Sequence, residues 1–505
     1  MEKVNNNRIV KNTFVLYFRL FFTLAISLYV TRRLLQVLGV EDFGLLNIVG
    51  GVVMMFSFLN NAMIAASQRF ITYSLASDIL SRQKKVFSTS IIIHLLIAIV
   101  IVIALETVGL WYINNKLNVS ESRLDAAFFV FHSSIITFFL SIINVPFSAT
   151  VIAHERMSVY AFFSIFSYLM KLAIVVYLPY IAYDNLIIYS VLLVFIELIN
   201  FIFYSVYCVT HFAECRITYP DMSILSKMLS FAGWSFLGNF GVVAKDYGVN
   251  LIINSFCNTA VNASRGIAYQ VMNAVNGFVA GFQTAMNPQI TKRYAIREIE
   301  DMLSLVFNGA KYSFYLLSLF VIPLFIRAEY VLGLWLGDVP EFSVQFLRLV
   351  LVMSLINSMA GPFVTSIQAT GNIKIFQIVI SIIMTMDMPL SYVVLRMGCL
   401  PYAVVYISII TAFIGFIARV ILLRHQINFN VRGFIVNIVL KNYLIVVIIY
   451  VLVYYISRLF ANTFVGLLLF CFSSVLISLT CIYIFALNLS ERRHLSNYVK
   501  RFIYA

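Results

Sequence analysis

Charge is scarce in this 505-residue chain: 11% of its residues are Asp, Glu, Lys or Arg, against 62% hydrophobic ones. Soluble domains carry about 25% charged residues and need them to cover their surface. A water-solvated globular fold is therefore excluded, and the mean hydropathy of +0.95 makes lipid the solvent. Polar segments long enough to fold alone are also lacking. The longest breaks between apolar runs span roughly twenty residues, at 66–86, 210–228, 286–304 and 424–441. The remaining loops are shorter, which counts against a membrane polymerase or ligase with an external catalytic loop. No G-x-x-x-x-G-K-[ST] phosphate loop occurs, so ATP use of the P-loop kind is not expected. The six cysteines are scattered without a C-x-x-C pair and read as small apolar fillers rather than a metal cluster or redox motif. His94 and His132 lie in apolar runs without a cysteine or carboxylate at ligand spacing. They read as packing histidines, with proton handling as the alternative.

What the chain does have is about fourteen apolar runs, each near the roughly 20 residues that cross about 30 Å of hydrocarbon as a helix. They predict spans over 13–33, 43–65, 87–110, 124–147, 159–181 and 186–209, then 229–254, 260–285, 305–327, 343–366, 375–396 and 401–423, and finally 442–460 and 463–487. The runs are twice the length of a barrel strand and do not alternate apolar with polar. The predicted fold class is an all-α integral membrane protein. The first run is too long for a signal peptide and lacks a small-residue cleavage site, so no cleavable leader is expected.

Lys and Arg number 35 against 21 acids, a net charge of +14. With the N-terminus in the cytoplasm, twenty-one basic residues fall in the tails and even-numbered loops, among them Arg69, Arg82, Lys227 and Lys374. Seven fall on the other side: Arg32, Arg33, Lys116, Arg123, Arg327, Arg396 and Arg458. That bias of about three to one obeys the positive-inside rule and puts both termini in the cytoplasm. Topology thus accounts for most of the basic excess, and no nucleic-acid partner is needed.

Seven basic residues remain inside the spans: Arg19, Lys171, Lys245, Arg265, Lys311, Arg348 and Arg419. Each costs about 2.5–3.5 kcal/mol at a helix centre, so they are predicted to face water, a partner or a ligand. The in-span acids are Glu106, Glu197, Asp246 and Asp387, which leaves an excess of about three positive charges. Lys171 and Glu197 sit at similar depth and predict a neutralising pair as readily as a substrate or coupling site. Arg419 lies within a turn of the boundary and is expected to snorkel. Arg19, Lys245, Arg265, Lys311 and Arg348 are the candidate binders of an anionic head group. Polar residues recur at helical spacing around them. Ser235, Asn239, Asp246, Asn250 and Asn254 share one face, and Asn262, Arg265, Tyr269, Asn273, Asn276, Gln283 and Asn287 share another. Asn239, Asn250, Asn262, Asn273 and Asn276 are the candidate lining of a wet face, with interhelical hydrogen bonding as the alternative. Asp246, then Asp387 and Glu197, are the in-span acids that could serve as an ion-coupling relay should the protein be a transporter, a salt bridge to Arg265 being the alternative for Asp246. Pro146, Pro323, Pro362 and Pro389 offer bending points. No metal or cofactor site is indicated.

Two passages go beyond composition. Arg8-Ile9-Val10-Lys11-Asn12-Thr13, Leu16-Tyr17-Phe18-Arg19 and Leu38-Gly39-Val40-Glu41-Asp42-Phe43-Gly44, with Asn47 and Gly50-Gly51, form the first. The second runs from Phe231-Ala232-Gly233-Trp234-Ser235-Phe236 through Gly238-Asn239 and Asn262-Ala263-Ser264-Arg265-Gly266-Ile267-Ala268 to Asn287-Pro288-Gln289-Ile290. Both resemble bacterial polysaccharide-biosynthesis membrane proteins, the oligosaccharide-lipid flippases (O-antigen, Wzx-type) of the multidrug/oligosaccharidyl-lipid/polysaccharide (MOP) exporter superfamily. The resemblance implies a non-enzymatic transporter built as two six-helix bundles, 1–210 and 211–424, in a V around a central cavity. Two further helices and a basic tail fill 425–505. It also implies flipping of undecaprenyl-diphosphate-linked repeat units across the bacterial inner membrane, with a polymerase and other assembly proteins as partners. The alternative within the same superfamily is a multidrug or organic-cation exporter.

Overall fold

The structure, a computed structural model, describes residues 6–54, 57–77, 79–111, 113, 123–257, 259–337, 339–488 and 491–492. Every regular element among the described residues is helical. The first are α1 (Asn6–Met54), α2 (Ser57–Leu75), α3 (Leu80–Ala104), α4 (Leu124–Ala153), α5 (Met157–Tyr177) and α6 (Asn185–His211). Next come α7 (Met222–Phe256), α8 (Thr259–Ala295), α9 (Ile299–Ile326), α10 (Ala328–Leu336), α11 (Ser343–Thr370) and α12 (Lys374–Thr385). The last are α13 (Asp387–Arg396), α14 (Ala403–Gln426), α15 (Val431–Phe434), α16 (Lys441–Ser457) and α17 (Phe464–Cys481). Among the described residues, 11 helices are long and apolar enough to cross a membrane, which makes this a multi-pass membrane protein. The other three predicted spans fall on α1–α2, α7 and α8, the last two being the helices with the polar stripes.

Two differences from the sequence expectation have physical causes. The twenty-residue breaks are much shorter, because α2, α7 and α8 continue past their predicted spans through polar and basic residues, and because α15 and the π-helical turns Ile435–Leu440 lead directly into α16. Helix hydrogen bonding does not stop where the lipid stops, and a solvated Lys or Arg is a good helix former. The predicted span 375–396 is interrupted at Met386, between α12 and α13. Pro389 follows by three residues, and its ring excludes the i−4 hydrogen bond to Thr385. Pro146, Pro323 and Pro362 sit inside unbroken helices.

The chain divides into two compact units. The first comprises Met1–Val243, Thr284–Ile299 and Gln368–Ile378, and the second Ala244–Gln283, Glu300–Ile367 and Val379–Ala505. In the first unit, Leu45 and Val49 of α1, Ala98 and Ile101 of α3, and Val130, Phe131 and Ile135 of α4 belong to one buried apolar cluster. At one end of this unit three predicted extracytoplasmic loops meet. Arg123 donates through Nε to Asp42 Oδ1 at 2.8 Å and pairs with Asp184. Asp184 also caps α6, accepting from the amides of Leu186 at 3.0 Å and Ile187 at 3.1 Å. Partial burial alone would raise the Asp184 pKa, but the Arg123 guanidinium and the two amides outweigh it and hold the carboxyl below the usual range. Its contribution is complete above the ordinary carboxylate pKa of about 4 and is lost as pH falls through the lower folded value. Asp184→Asn keeps a capping oxygen but removes the charge. Thermal melts from pH 7 to pH 3 should therefore show a shallower acid dependence in the variant; an unchanged profile would count against the Arg123 bridge.

At the other end of the first unit, predicted cytoplasmic segments meet in the same way. His154 Nε2 lies 2.5 Å from Glu214 Oε1, Gln289 donates to Glu155 Oε1 at 2.6 Å, and Lys85 pairs with Asp221 at 3.7 Å. The predicted alternation of loops is thus internally consistent in this unit.

In the second unit, Phe307 of α9, Phe363 of α11, Phe416 of α14 and Phe434 of α15 pack ring against ring, with centroids 5.0 to 6.4 Å apart. Gln283 of α8 crosses the unit's interior, donating to Ser313 Oγ of α9 at 3.1 Å and to Ser358 O of α11 at 3.0 Å. A Cβ on Gly361 would lie 2.2 Å from Gln283 Oε1. Gln283 cannot swing aside without breaking both bonds, so Gly361→Ala should destabilise by about 1–3 kcal/mol, as overpacking does. A melting point equal to wild type would show that the side chain can relax.

Candidate functional site: a buried lysine–aspartate pair in the second unit

Asp387 begins α13 immediately after the break at Met386 and is fully buried, at 0% exposure. Lys245 of α7, 6% exposed, reaches it with Nζ 2.8 Å from Oδ2. Three hydroxyls complete the carboxylate's surroundings: Thr411 donates to Oδ2 at 3.1 Å, and Ser408 and Ser391 donate to Oδ1 at 3.2 and 3.4 Å. The break matters here, because the start of α13 offers the positive end of a helix dipole to the carboxylate. A charge pair at this depth is tolerated only when both ions keep partners, since several kcal/mol per ion are lost on leaving water. Chemically, the arrangement holds a cation beside an acid in a dry site. Removing the negative charge, by a proton or by displacement, would release a positive charge that another anion could neutralise.

The other candidates divide into those with and without a carboxylate. Lys311, 7% exposed, bonds both oxygens of Glu491 at 3.0 and 2.8 Å, and Tyr312 donates to the same Oε1 at 2.8 Å. Glu491 lies beyond the last span; burial pushes its pKa up, and the Lys311, Asn488 and Tyr312 donors more than reverse that. Arg348 donates to Phe325 O at 3.2 Å and pairs with Glu329 at 3.4 Å. Arg265, 4% exposed, donates to Asn250 Oδ1 and stands 4.2 Å above the Tyr269 ring. Arg19 contacts Ser164 Oγ at 3.5 Å and lies 4.9 Å above Tyr160, with no carboxylate among the described residues. Asn239 is partly buried, Asn273 is exposed, and Asn276 donates to Ser354 Oγ at 3.5 Å as a helix-to-helix link. The side chains of Asp246 and Asn262 lie outside the described residues, as does any pairing of Asp246. Glu197 is partly buried; no ion pair joins it to Lys171, whose Nζ lies 5.3 Å from the Tyr168 ring. Arg419 does not snorkel as expected: it is 9% exposed, and its Nε and Nη1 make no hydrogen bond among the described residues.

The structure therefore joins two residues that the sequence assigned to different tasks, Lys245 for an anion and Asp387 for coupling. It also changes the charge balance, because Glu491 and Glu329 come from outside the predicted spans to Lys311 and Arg348. Nothing in the span arithmetic singles out Ser391, Ser408 and Thr411, although Ser391 stands four residues after Asp387, and Ser408 and Thr411 stand three apart on one helix face. Glu491 could not have been found by span arithmetic, since it pairs across 180 residues.

No family model and no curated protein matches the chain. Solved structures do. A MOP superfamily transporter from Pyrococcus furiosus superposes with a TM-score of 0.74 at 14% identity, covering 85% of this chain and 96% of that one. An outward-facing multidrug resistance MATE family transporter of the MOP superfamily gives 0.73 at 14% identity, covering 84% and 96%. A MATE protein in its bent conformation gives 0.74 at 14%, covering 83% and 95%. At that identity the likeness concerns the fold, and the fold of this chain is that of the MATE transporters of the MOP superfamily.

Proposed function

We propose that the protein is a transporter that moves a lipid-linked oligosaccharide, carried on a diphosphate, from the cytoplasmic to the outer leaflet of a bacterial inner membrane, with both termini cytoplasmic. The observation that carries this reading is an excess of unpaired cations over unpaired acids within the spans, Glu197 being the one such acid among the described residues. Arg19, Lys171 and Arg419 have no carboxylate partner among the described residues, even after Lys245, Lys311 and Arg348 are matched with acids. An anionic head group suits that balance, and an organic cation does not. One neighbour, the Pyrococcus furiosus transporter, is described as having a binding pocket of reverse polarity that suggests a different function. That description supports taking charge, and not the fold, as the guide to substrate class. Deleting the gene should cause lipid-linked repeat units to accumulate on the cytoplasmic side. Normal surface glycan without such a build-up would sink the proposal.

A pair such as Lys245–Asp387 also constrains coupling. A proton on Asp387 would leave Lys245 available to the substrate's diphosphate, so proton and anion favour one another at this site. Proton antiport needs the opposite sign, in which the proton evicts the substrate. An acid elsewhere, Asp246 or Glu197, is then the better candidate for antiport, while Lys245–Asp387 acts as a latch that the substrate opens.

The second reading, export of drugs or organic cations, is favoured by the likeness to the multidrug resistance MATE transporter. Overexpression in a drug-sensitive host decides it: unaltered sensitivity across cationic drugs would remove it.

A further inference from the structure

We propose that a cationic cleft in the first unit, apart from the Lys245–Asp387 pair, binds the phosphate group of an anionic ligand; that the ligand is a lipid-linked diphosphate awaiting transport rests on the flippase reading above. The cleft has a volume of about 770 Å³ and is lined by Arg69, Arg82, Lys227 and Lys374, with Phe231 and Trp234 among its aromatic faces. No carboxylate is found among its lining residues.

Solvated basic residues are ordinary on the cytoplasmic side of a membrane protein, but two of these four, Arg69 and Lys374, are set against fixed groups. Arg69 is fixed. Its Nε donates to Gln368 O at 2.5 Å and its Nη2 to Ala369 O at 3.3 Å, closing the C-terminal end of α11, and its guanidinium lies 5.2 Å from the Phe231 ring. The chain then turns at Gly371, where φ is +80° and a Cβ would lie 2.2 Å from Arg69 Nη2. Only glycine accepts both that conformation and that approach. Three residues later Lys374 opens α12 with Nζ 5.2 Å from the Trp234 ring, so the positive end of a helix joins the cleft. Arg82, Lys227 and Lys374 are exposed and have no ion pair among the described residues. Asp221, which accepts from the amide of the lining residue Ile224 at 3.3 Å, is held instead by Lys85, which does not line the cleft.

Like charges gathered in a concave site repel one another, and a multiply charged anion relieves that repulsion. Arg and Lys donors bond phosphate oxygens more strongly than neutral groups do. The aromatic faces would meet an apolar or ring-shaped part next to the phosphate. All four cations belong to the set that the positive-inside rule assigns to the cytoplasm, the side on which the proposed substrate would be collected.

The chain contains three tryptophans, Trp111, Trp234 and Trp335, so Trp111→Phe with Trp335→Phe leaves Trp234 as the reporter. In that background the full-length protein, in zwitterionic nanodiscs, is titrated with farnesyl diphosphate, inorganic pyrophosphate and dihexanoylphosphatidylglycerol, with farnesol as the uncharged control. A saturable change in Trp234 emission is expected, weakened at least tenfold in affinity by Lys227→Gln with Lys374→Gln while the melting temperature holds. Affinities are compared rather than amplitudes, because Lys374 touches the reporter. Tighter binding of farnesyl diphosphate than of pyrophosphate assigns the site to a lipid-linked phosphate, and the reverse order assigns it to a soluble one. Equal binding of phosphatidylglycerol assigns it to a bilayer head group. No saturable response to the three anions, a matching response to farnesol, or an unchanged affinity in the double variant overturns the proposal. The measurement needs no transport. Loss of the flippase reading in cells would leave this binding intact, whereas absent binding alongside accumulated lipid-linked units would sink the cleft alone.

Discussion

Lys245→Met is expected to destabilise the folded protein by about 3–5 kcal/mol, the loss typical when one member of a buried pair is removed. The partner left behind is Asp387, which is fully buried and among the described residues would keep the hydroxyls of Ser391, Ser408 and Thr411 but no cation. Asp387→Asn should cost a similar amount, because the Lys245 ammonium then has no counter-charge in a dry site. The double variant is the informative one. With both charges gone, the desolvation penalty disappears along with the attraction, and well-packed neutral replacements of buried pairs are often as stable as the original. Thermal melts of the purified full chain should therefore show two strongly destabilised single variants and a double variant that recovers most of the loss, a large coupling energy in the mutant cycle. Additive losses would mean that the two residues do not act as a pair.

The fold class was legible because lipid imposes a simple rule: a spanning helix must be long, apolar and internally hydrogen-bonded. Eleven of the expected spans meet that rule directly among the described residues. Helix ends were not legible, since a helix crosses the lipid boundary without any change in its own backbone chemistry. The extension of α2 through Arg69 and that of α8 through Lys292 and Arg293 show this. The site was legible in its residues but not in its pairings. Charge and depth single out Lys245 and Asp387, yet nothing in sequence spacing says that positions 142 residues apart should meet. Lys171 and Glu197, which lie at matching depth on consecutive helices, form no ion pair. Depth places two charges in one layer; lateral packing decides whether they touch. Arg348 and Lys311 read as available for a ligand for a different reason, since their partners Glu329 and Glu491 lie outside the predicted spans.

Arg19 and Lys311 supply the contrast that tests the cationic reading. Both are basic residues inside predicted spans, but Arg19 meets a hydroxyl and an aromatic ring, whereas Lys311 is held by both oxygens of Glu491. Arg19→Ala removes a positive charge and leaves no carboxylate stranded, so the fold should survive. If the charge serves a diphosphate, losing one charge-assisted contact should cut export at least tenfold, which corresponds to about 1.4 kcal/mol. Lys311→Ala instead strands Glu491 beside Tyr312, and the expected result is a lowered melting temperature, with reduced export following from reduced protein. Glu491→Gln should reproduce that loss of stability. Arg19→Lys, which keeps the charge but not the planar donor, should retain part of the export that Arg19→Ala loses. The assay is the accumulation of lipid-linked repeat units in cells expressing each variant, normalised to the protein in the membrane. Full export by Arg19→Ala at normal abundance would show that the surplus charge does not serve the substrate, and the organic-cation reading would then be the stronger one.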